Sequence, residues 1–425
     1  MTAPLPAAAR TRVAGTRVAG PCRSCGSITL EPVLDLGDMP LANSVLTGAE
    51  LARPEPRHPL EVLFCPACAL VQIGATVPPE EMFSDYAYFS SYSTTAVERA
   101  GALVASLVES QRLGPDSLAV EVASNDGYLL RHYVSRGVPV LGIDPAANVV
   151  AAAEAVGVPT LCRFFGPDLA EELRASGLRA DVLHANNVLA HVPDVNGFAS
   201  AIERVLADGG VAVVETPYVR DLVERVEFDT VYHEHVFYYS LTSLTALFER
   251  NGLQVVDVER IPIHGGSLRV SLEPGASAGP AAAAVDELLD EERRLGLARY
   301  PYYAEFGGRV AELVERLQIL LRDLKSSGAS IAAYGAAAKG TILLNTLGVG
   351  VETLDFVADR NPHKHGLHMP GVHVPIVPPE RLAQDMPDFV LLLAWNFADE
   401  VLAQQARYRR RGGRFILPVP EPVIV

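Results

Sequence analysis

The 425-residue sequence lacks any run of about 18 uncharged apolar residues, so no membrane-spanning segment is predicted. Basic charge is also scarce: 35 Lys and Arg residues stand against 51 Asp and Glu residues, for a net charge of −16. Nucleic acids bind to basic protein faces, so a nucleic-acid partner is not expected. Residues 1–19 lack the apolar core of a secretion signal and are predicted to form a disordered tail. We therefore expect a cytoplasmic protein, and a monomer.

Cysteine is rare, with five residues, yet four of them form two C-x-x-C pairs. In a protein without a secretion signal this spacing favours metal thiolates over disulfides. Four thiolates complete a tetrahedral Zn²⁺ site and leave no open position for catalysis, so a structural zinc is predicted. The alternative, two reduced pairs of buried cysteines, explains the spacing poorly. The predicted zinc ligands, in a zinc-binding domain over residues 20–85, are Cys22, Cys25, Cys65 and Cys68.

Strand and helix patterns alternate over residues 86–275, beginning with "SLAVEVASNDGYLLRHYVSRG" and "VPVLGIDPAANVVAAAEAVG". This alternation predicts a parallel, doubly wound sheet whose ligands bind beyond the carboxyl ends of the strands. Residues 276–425 repeat the plan on a smaller scale, starting from "ASIAAYGAAAKGTILLNTLG". The predicted fold class is therefore α/β, with a zinc-binding domain followed by two Rossmann-like domains.

The loop after the first of these strands, "EVASNDGYLL", lacks the glycines of G-x-G-x-x-G, and this weakens a prediction of NAD binding. Glu121 at the first strand end, Gly127 in the loop and Asp144 at the second strand end fit S-adenosylmethionine (SAM) better. Gly127 would permit close approach of the backbone, and Asp144 would accept hydrogen bonds from ribose hydroxyls. Asn125 in the same loop is a further candidate contact. The alternative for Asp144 is a cap on the next helix.

The segment "FDTVYHEHVFYYS" lacks the H-E-x-x-H spacing of a zinc protease helix, although it contains Tyr232, His233, Glu234 and His235. Two His residues two positions apart share a face only in an extended segment, so a metal site is disfavoured. An imidazole that titrates near neutral pH suits proton abstraction. The alternative is that these side chains fill a domain junction.

A P-loop is also absent, but "YGAAAKG" places small residues and Lys339 at a predicted helix start, where anions bind favourably. The alternative is a tightly packed helix start. Asp359 and Arg360, in "VADRNPHKHG", and Asn396, in "AWNFADE", lie at other predicted strand ends. The only tryptophan, Trp395, precedes Asn396, and a place in the core is the alternative for it.

Eight stretches, in order along the chain, resemble the sugar C-methyltransferase family of deoxysugar biosynthesis: "CRSCG", "FCPACALVQ", "EVASNDGYLL", "ANNVLAHVPD", "FDTVYHEHVFYYS", "IPIHGGSLRV", "YGAAAKG" and "AWNFADE". The resemblance covers nearly the whole length. It implies a zinc domain, a central class I SAM methyltransferase domain and a C-terminal domain that binds a nucleotide sugar. It further implies methylation of a carbon, usually C3, of a TDP-linked 4-keto-6-deoxy sugar.

By resemblance, His235 is the general base, Tyr232 binds the keto or enolate oxygen, and Glu234 orients an imidazole, while His233 receives no role. The resemblance also implies that Asn186 and Tyr88 lie at the SAM pocket. The implied substrate contacts are His191, His264, Tyr334, Lys339, Asp359, Arg360 and Asn396. Where the family loop often has more glycine, this chain has Ala123 and Ser124. Two alternatives to C3 methylation remain open: methylation of C5, and a catalytically silent protein that binds a nucleotide sugar.

Overall fold

The computed structural model describes residues 20–83, 89–263 and 265–425. The predicted N-terminal tail, Tyr88 and His264 lie outside these described residues. Within them the chain forms three sheets, of four, seven and six strands, and the predicted α/β class with three parts is confirmed. The exact domain boundaries at residues 85 and 275 stay predictions.

The described residues form seventeen strands. In chain order they are β1 (Glu31–Met39), β2 (His58–Phe64), β3 (Val71–Ile73), β4 (Ala119–Val122), β5 (Val140–Ile143), β6 (Thr160–Leu161), β7 (Ala180–Asn186), β8 (Leu206–Pro217), β9 (Phe237–Tyr238), β10 (Leu253–Ile261), β11 (Ser267–Pro274), β12 (Ile331–Tyr334), β13 (Val357–Ala358), β14 (Ile376–Val377), β15 (Phe389–Leu392), β16 (Arg414–Leu417) and β17 (Val423–Ile424).

Fourteen α-helices connect these strands within the same residues. They are α1 (Pro79–Phe83), α2 (Thr94–Ser110), α3 (Leu130–Val134), α4 (Ala147–Ala155), α5 (Pro167–Ala175), α6 (Val195–Val205), α7 (Val219–Glu224), α8 (Leu241–Arg250), α9 (Ala283–Leu295), α10 (Phe306–Ser326), α11 (Ala338–Leu347), α12 (Glu380–Asp385), α13 (Ala398–Gln404) and α14 (Ala406–Arg410). In this part of the chain, no helix has both the length and the apolar character needed to cross a membrane.

The four-stranded sheet has the order β1-β2-β3-β9 and is antiparallel throughout. Its fourth strand comes from the "FDTVYHEHVFYYS" segment, because Phe237 and Tyr238 pair with Gln72 and Val71. The zinc domain therefore holds one end of the segment that contains Tyr232 and His235. A two-residue strand with its partner more than 160 positions away gives too weak a pattern for prediction from the sequence.

The seven-stranded sheet has the order β10-β11-β8-β7-β4-β5-β6. The strands from β8 to β6 are parallel, as predicted, with the four residues of β4 all buried. The prediction of a parallel sheet misses β10 and β11, which form an antiparallel hairpin and join β8 antiparallel. The connection from Ile261 to Ser267 is too short for the crossover that parallel neighbours require, which takes about a dozen residues.

The six-stranded sheet has the order β14-β13-β12-β15-β16-β17 and is parallel except for β17. One continuous apolar core includes buried residues of all three sheets, for example Phe64, Val214 and Leu391. Fully buried Glu292 on α9 also joins two parts of the chain. Its carboxylate accepts hydrogen bonds from the Tyr218 hydroxyl, from the backbone N–H groups of Leu241 and Thr242, and from the Thr242 hydroxyl. Of the residues in these contacts, Tyr218 lines the cavity described next.

Candidate active site and zinc centre

A cavity of about 1490 Å³ lies where the three sheets meet. Its walls include residues 41 and 43–45 of the zinc domain, the loops after β4, β5 and β7 of the central sheet, and residues 334–339 and 394–401 of the C-terminal part. The loops that follow parallel strands line it, as expected for an open α/β sheet. The cavity therefore brings most of the predicted site residues together.

The loop after β4 takes up left-handed backbone conformations at alternate positions. Ala123 has φ +55°, Asn125 has φ +49° and Gly127 has φ +74°. Two of these three positions are not glycine, so at Ala123 and Asn125 the backbone adopts a conformation that usually favours glycine. Gly127 does not line the cavity. A Cβ there would lie 2.9 Å from Val158 Cγ2, between α4 and β6, so close packing against this segment requires a glycine, while the predicted approach to a ligand stays a prediction.

Asp144 organises this loop. Its Oδ2 accepts a hydrogen bond from the Asn125 backbone N–H at 3.0 Å, and its Oδ1 accepts one from Ala146 N–H at 3.0 Å. The N-cap residue of α4 is Ala146, so Asp144 holds the loop before the helix and does not cap it, and its carboxylate lines the cavity with spare lone pairs for ribose hydroxyls. Burial raises the pKa of Asp144. Glu121 lies beneath the loop, 1% exposed and outside the cavity lining, and burial raises its pKa well above the ordinary range.

The side chains present fit SAM as a ligand. Asn186 and Asn187 line the cavity, and among the described residues their side-chain oxygens are buried without a hydrogen-bond partner. Buried acceptors of this kind are costly unless a ligand supplies the donor, as the ammonium and ribose groups of SAM would. Asn125, Asp144 and Asn186 all line the cavity, and their assignment to SAM stays a prediction.

Tyr232 and His235 form a hydrogen-bonded pair on the cavity wall. The Tyr232 hydroxyl lies 2.8 Å from His235 Nε2, and His235 Nδ1 lies 2.9 Å from the backbone carbonyl oxygen of Thr230. A carbonyl only accepts, so Nδ1 carries the proton and donates to Thr230, and Nε2 has the lone pair that receives the Tyr232 hydroxyl. The imidazole is thus set in the tautomer in which Nε2 is basic.

His191 packs edge-on against His235, with ring centroids 4.9 Å apart. Burial lowers the pKa of His191 to about 4, so this imidazole is neutral at pH 7. A neutral neighbour does not oppose the positive charge that His235 would gain on accepting a proton.

Glu234 takes a different partner from the one predicted. Both of its carboxylate oxygens accept from the Asn43 amide, at 2.7 and 2.9 Å, while its backbone, and not its carboxylate, interacts with the His191 imidazole. The group that orients His235 is instead the Thr230 carbonyl. Glu234 is 5% exposed, and burial raises its pKa to about 7 against the lowering influence of Asn43 and Lys364.

The C-terminal part supplies a wall with cationic side chains. All five substrate contacts predicted in this part line the cavity: Tyr334, Lys339, Asp359, Arg360 and Asn396. The Asp359 carboxylate shapes the loop after β12, because it accepts from the backbone N–H groups of Ala336 at 2.6 Å and Asn361 at 2.7 Å. Arg360 lies 3.4 Å from Glu400 in an exposed pair.

Besides Asn187, three further lining residues with clear roles in the site were missed from the sequence. Asn43 holds Glu234, Glu227 faces the cavity from the central domain, and Lys364 donates to the Ala336 carbonyl at 2.7 Å. Asn43 and Lys364 lie in unremarkable stretches, and only tertiary structure brings them to the site. Glu227 directly precedes the "FDTVYHEH" segment, so its position could have identified it as a candidate site residue.

The four paired cysteines converge on one point, as predicted. Cys22 and Cys68 have sulfurs 3.6 Å apart, those of Cys25 and Cys65 are 3.5 Å apart, and all four lie within 4.8 Å of one another. A tetrahedral site with Zn–S distances of about 2.3 Å requires sulfurs about 3.8 Å apart, so the cluster fits zinc. Each pair ends in a matching turn, in which Gly26 or Ala69 takes a positive φ and its N–H donates to the carbonyl of the first cysteine.

The central sheet, the loop after β4 and the buried acceptors suited to SAM together place the protein in the class of SAM-dependent methyltransferases. Family models match residues 22–83 as a zinc binding domain, 97–258 as a methyltransferase domain and 262–420 as a C-methyltransferase C-terminal domain. The chain is 36% identical to the C-methyltransferase NovU of Streptomyces niveus over 404 residues, covering 95% of this chain and 96% of NovU. The chain therefore belongs to the SAM-dependent C-methyltransferases that carry an N-terminal zinc-binding domain.

Other relatives match less of the chain. A ubiquinone biosynthesis O-methyltransferase of Methylobacterium sp. (strain 4-46) is 28% identical over 175 residues, covering 36% of this chain and 67% of that protein. The crystal structure of magnesium protoporphyrin IX methyltransferase from Synechocystis PCC 6803 with bound SAM is 14% identical, with a TM-score of 0.33, over 41% of this chain and 78% of that chain. The similarity to the C-methyltransferase NovU, by comparison, extends over nearly all of both chains.

Proposed function

We propose that this C-methyltransferase methylates carbon 3 of a TDP-linked 4-keto-6-deoxy sugar through an enolate, in deoxysugar biosynthesis for a natural product. The observation that carries the proposal is the Tyr232–His235 pair, whose tautomer is set by the Thr230 carbonyl. The pair lines the same cavity as the loops suited to SAM and as Lys339 and Lys364, which suit a diphosphate. An acid–base pair of this kind can make the carbon next to a carbonyl group nucleophilic.

The 4-keto group acidifies the hydrogen on C3, and His235 Nε2 is the base that removes it. In the free protein this lone pair is engaged by the Tyr232 hydroxyl. A bound 4-keto oxygen is a competing acceptor for that hydroxyl. When Tyr232 donates to the keto oxygen, Nε2 is released toward C3, and the same hydrogen bond stabilises the negative charge that develops on oxygen.

The atoms balance without a further reactant. The C3–H bond breaks, its proton passes to His235 Nε2, and its electron pair forms the enolate. SAM supplies an electrophilic methyl group when it is bound. The enolate carbon attacks that methyl carbon, a C–C bond forms, and the sulfur departs as a neutral thioether. The role of the protein residues is to orient the two substrates and to hold the proton.

The C-terminal wall supports binding of the nucleotide part. Lys339 and Lys364 place two ammonium groups near the loop at the start of α11, and the Lys364 group retains donors beyond the one given to Ala336. Phosphate oxygens accept from such donors and favour a helix N-terminus. We assign Asp359, Arg360 and Asn396 to the nucleoside and Tyr334 to the same pocket. The cytoplasmic location and the monomeric state stay predictions.

The test is the position of the transferred methyl group. Purified protein is supplied with SAM bearing a ¹³C-methyl group and with TDP-4-keto-6-deoxyglucose or its 2-deoxy analogue, and the product is analysed by NMR. The proposal requires the label on C3. Label on C5 would support the C5 alternative, and binding of the nucleotide sugar without any transfer would support the silent binding protein.

A further inference from the structure

Lys339 occupies a position that is unfavourable for a cation. It is the second residue of α11, where the positive end of the helix dipole repels an ammonium group. Burial also lowers the pKa of Lys339, because the charged form loses hydration. A lysine in this place needs support from its surroundings if it is to stay charged and stay at the cavity wall.

Trp395 provides an aromatic face for this ammonium group. Lys339 Nζ lies 4.4 Å from the centroid of the Trp395 ring, well within the range of a cation–π contact. The ring itself is anchored from the central domain, because its Nε1–H donates to Asp229 Oδ2 at 2.7 Å. Asp229 is fully buried, so the indole is fixed by a hydrogen bond shielded from water.

Two buried carboxylates complete the surroundings of Lys339. Asp229 and Glu227 are at most 3% exposed, and the nearby Lys339 charge lowers the pKa of both against the larger, opposing effect of burial. Asp229 directly precedes Thr230, whose carbonyl holds His235. The carboxylates that surround Lys339 thus belong to the same short segment that orients the His235 imidazole.

We propose that Trp395, anchored by Asp229, is a positioning residue that holds the Lys339 ammonium group at the cavity wall for the diphosphate of the substrate. The inference rests on the proposed function, which places the diphosphate at Lys339. A tryptophan that merely fills the core would have no need of a cation over its face or of a buried carboxylate on its N–H. Trp395 is only partly buried and lines the cavity beside Lys339.

A double-mutant cycle on the affinity for TDP separates positioning from general packing. Affinity is measured by calorimetry on the full chain for the wild type, Lys339→Ala, Trp395→Leu and the double variant. We expect Lys339→Ala to weaken TDP binding by about 30-fold and Trp395→Leu by about tenfold, with SAM affinity unchanged. Because Trp395 acts through Lys339, the double variant should bind TDP no more weakly than Lys339→Ala alone.

Trp395→Phe keeps an aromatic face but loses the anchor to Asp229, so its affinity should lie between those of the wild type and Trp395→Leu. If Trp395→Leu does not fold, Trp395→Phe replaces it in the double-mutant cycle. Arg414→Gln is the matched control, because it removes a cation from over the Phe389 ring, a contact of 4.2 Å that lies outside the cavity lining. This control should bind TDP as the wild type does.

Two results overturn the inference alone: an affinity within twofold of the wild type in both Trp395 variants while Lys339→Ala binds weakly, or losses that multiply in the double variant. If Lys339→Ala itself binds TDP normally, the assignment of the diphosphate to Lys339 in the proposed function fails, and the inference fails with it. The position of the methyl label still tests C3 methylation independently.

Discussion

The Tyr232 hydroxyl and His235 Nε2 lie 2.8 Å apart, while Nδ1 of the same imidazole lies 2.9 Å from the Thr230 carbonyl oxygen. One contact sets the tautomer and the other engages the basic lone pair. In the proposed mechanism, His235 is the base and is released when a substrate carbonyl takes over the tyrosine hydrogen bond. The first predictions concern this pair.

His235→Ala should lower turnover by about 10²-fold or more, because the base that removes the C3 proton is lost. SAM binding should survive, since the observed hydrogen bonds of His235 go to Tyr232 and Thr230. Methyl transfer is measured by mass spectrometry and SAM affinity by calorimetry. Near-normal turnover in this variant would reject His235 as the base.

Tyr232→Phe should lower turnover by about tenfold or more, because the developing enolate oxygen loses a hydrogen-bond donor. Tyr238→Phe is the matched control. The Tyr238 ring packs edge-on against His235 with centroids 6.4 Å apart, and this substitution leaves the 2.8 Å contact in place. Equal losses in the two variants would show that the Tyr232 hydroxyl has no special role.

Glu234→Gln should flatten the pH dependence of stability. The folded protein holds the pKa of Glu234 at about 7 against an ordinary value of 4.5. Its stabilising contribution is therefore complete below pH 4.5 and is lost as the pH rises through 7. The amide does not titrate, so the variant should gain about 3 kcal/mol over the wild type between pH 4.5 and pH 8. Urea unfolding at several pH values measures the free energy of unfolding of both proteins, and Glu249→Gln, at an exposed position, is the control. A difference between variant and wild type that does not change with pH would contradict the prediction.

Cys65→Ser should lower the melting temperature and the zinc content together, because a structural zinc site couples metal binding to folding. Removal of zinc by a chelator should have the same effect. Cys162→Ser is the control, since this cysteine is exposed and lies outside the cluster. The measurements are calorimetric melting and elemental analysis. An unchanged melting temperature after complete zinc removal would count against a structural metal.

Glu292→Ala should destabilise the fold by about 3 kcal/mol or more, because it leaves the Tyr218 hydroxyl and two helix N-terminal N–H groups buried without an acceptor. The neighbouring Glu291, whose side chain is 34% exposed, pairs with Arg220. Glu291→Ala should cost less than about 1 kcal/mol, as is usual for surface ion pairs. Denaturant titrations compare the two, and similar costs would contradict the importance of the Glu292 contacts.

Much of the molecule follows from local sequence patterns. The spacing of Cys22, Cys25, Cys65 and Cys68 predicted a cluster that the structure brings within 4.8 Å. The alternation of strand and helix predicted both Rossmann-like sheets. These predictions are confirmed because each depends on residues close together in the chain or on one residue type repeated at a fixed spacing.

Other features depend on contacts between distant parts of the chain. Asn43 reaches Glu234 across 191 positions, and β9 joins the zinc-domain sheet through two residues. Ala123 takes a glycine-type conformation that its side chain disfavours, so the loop was harder to predict. The contact of Gly127 with Val158 could not be predicted, because it depends on how the segment between α4 and β6 packs against the loop after β4.

Hydrogen exchange at C3 of the nucleotide sugar tests the central claim most directly. TDP-4-keto-6-deoxyglucose is incubated with the protein in D₂O, with S-adenosylhomocysteine in place of SAM so that no methyl group is transferred, and NMR follows the C3 hydrogen. The account predicts that the wild type introduces deuterium at C3 and that His235→Ala does so at least about 10²-fold more slowly. Exchange at the wild-type rate in His235→Ala would contradict it.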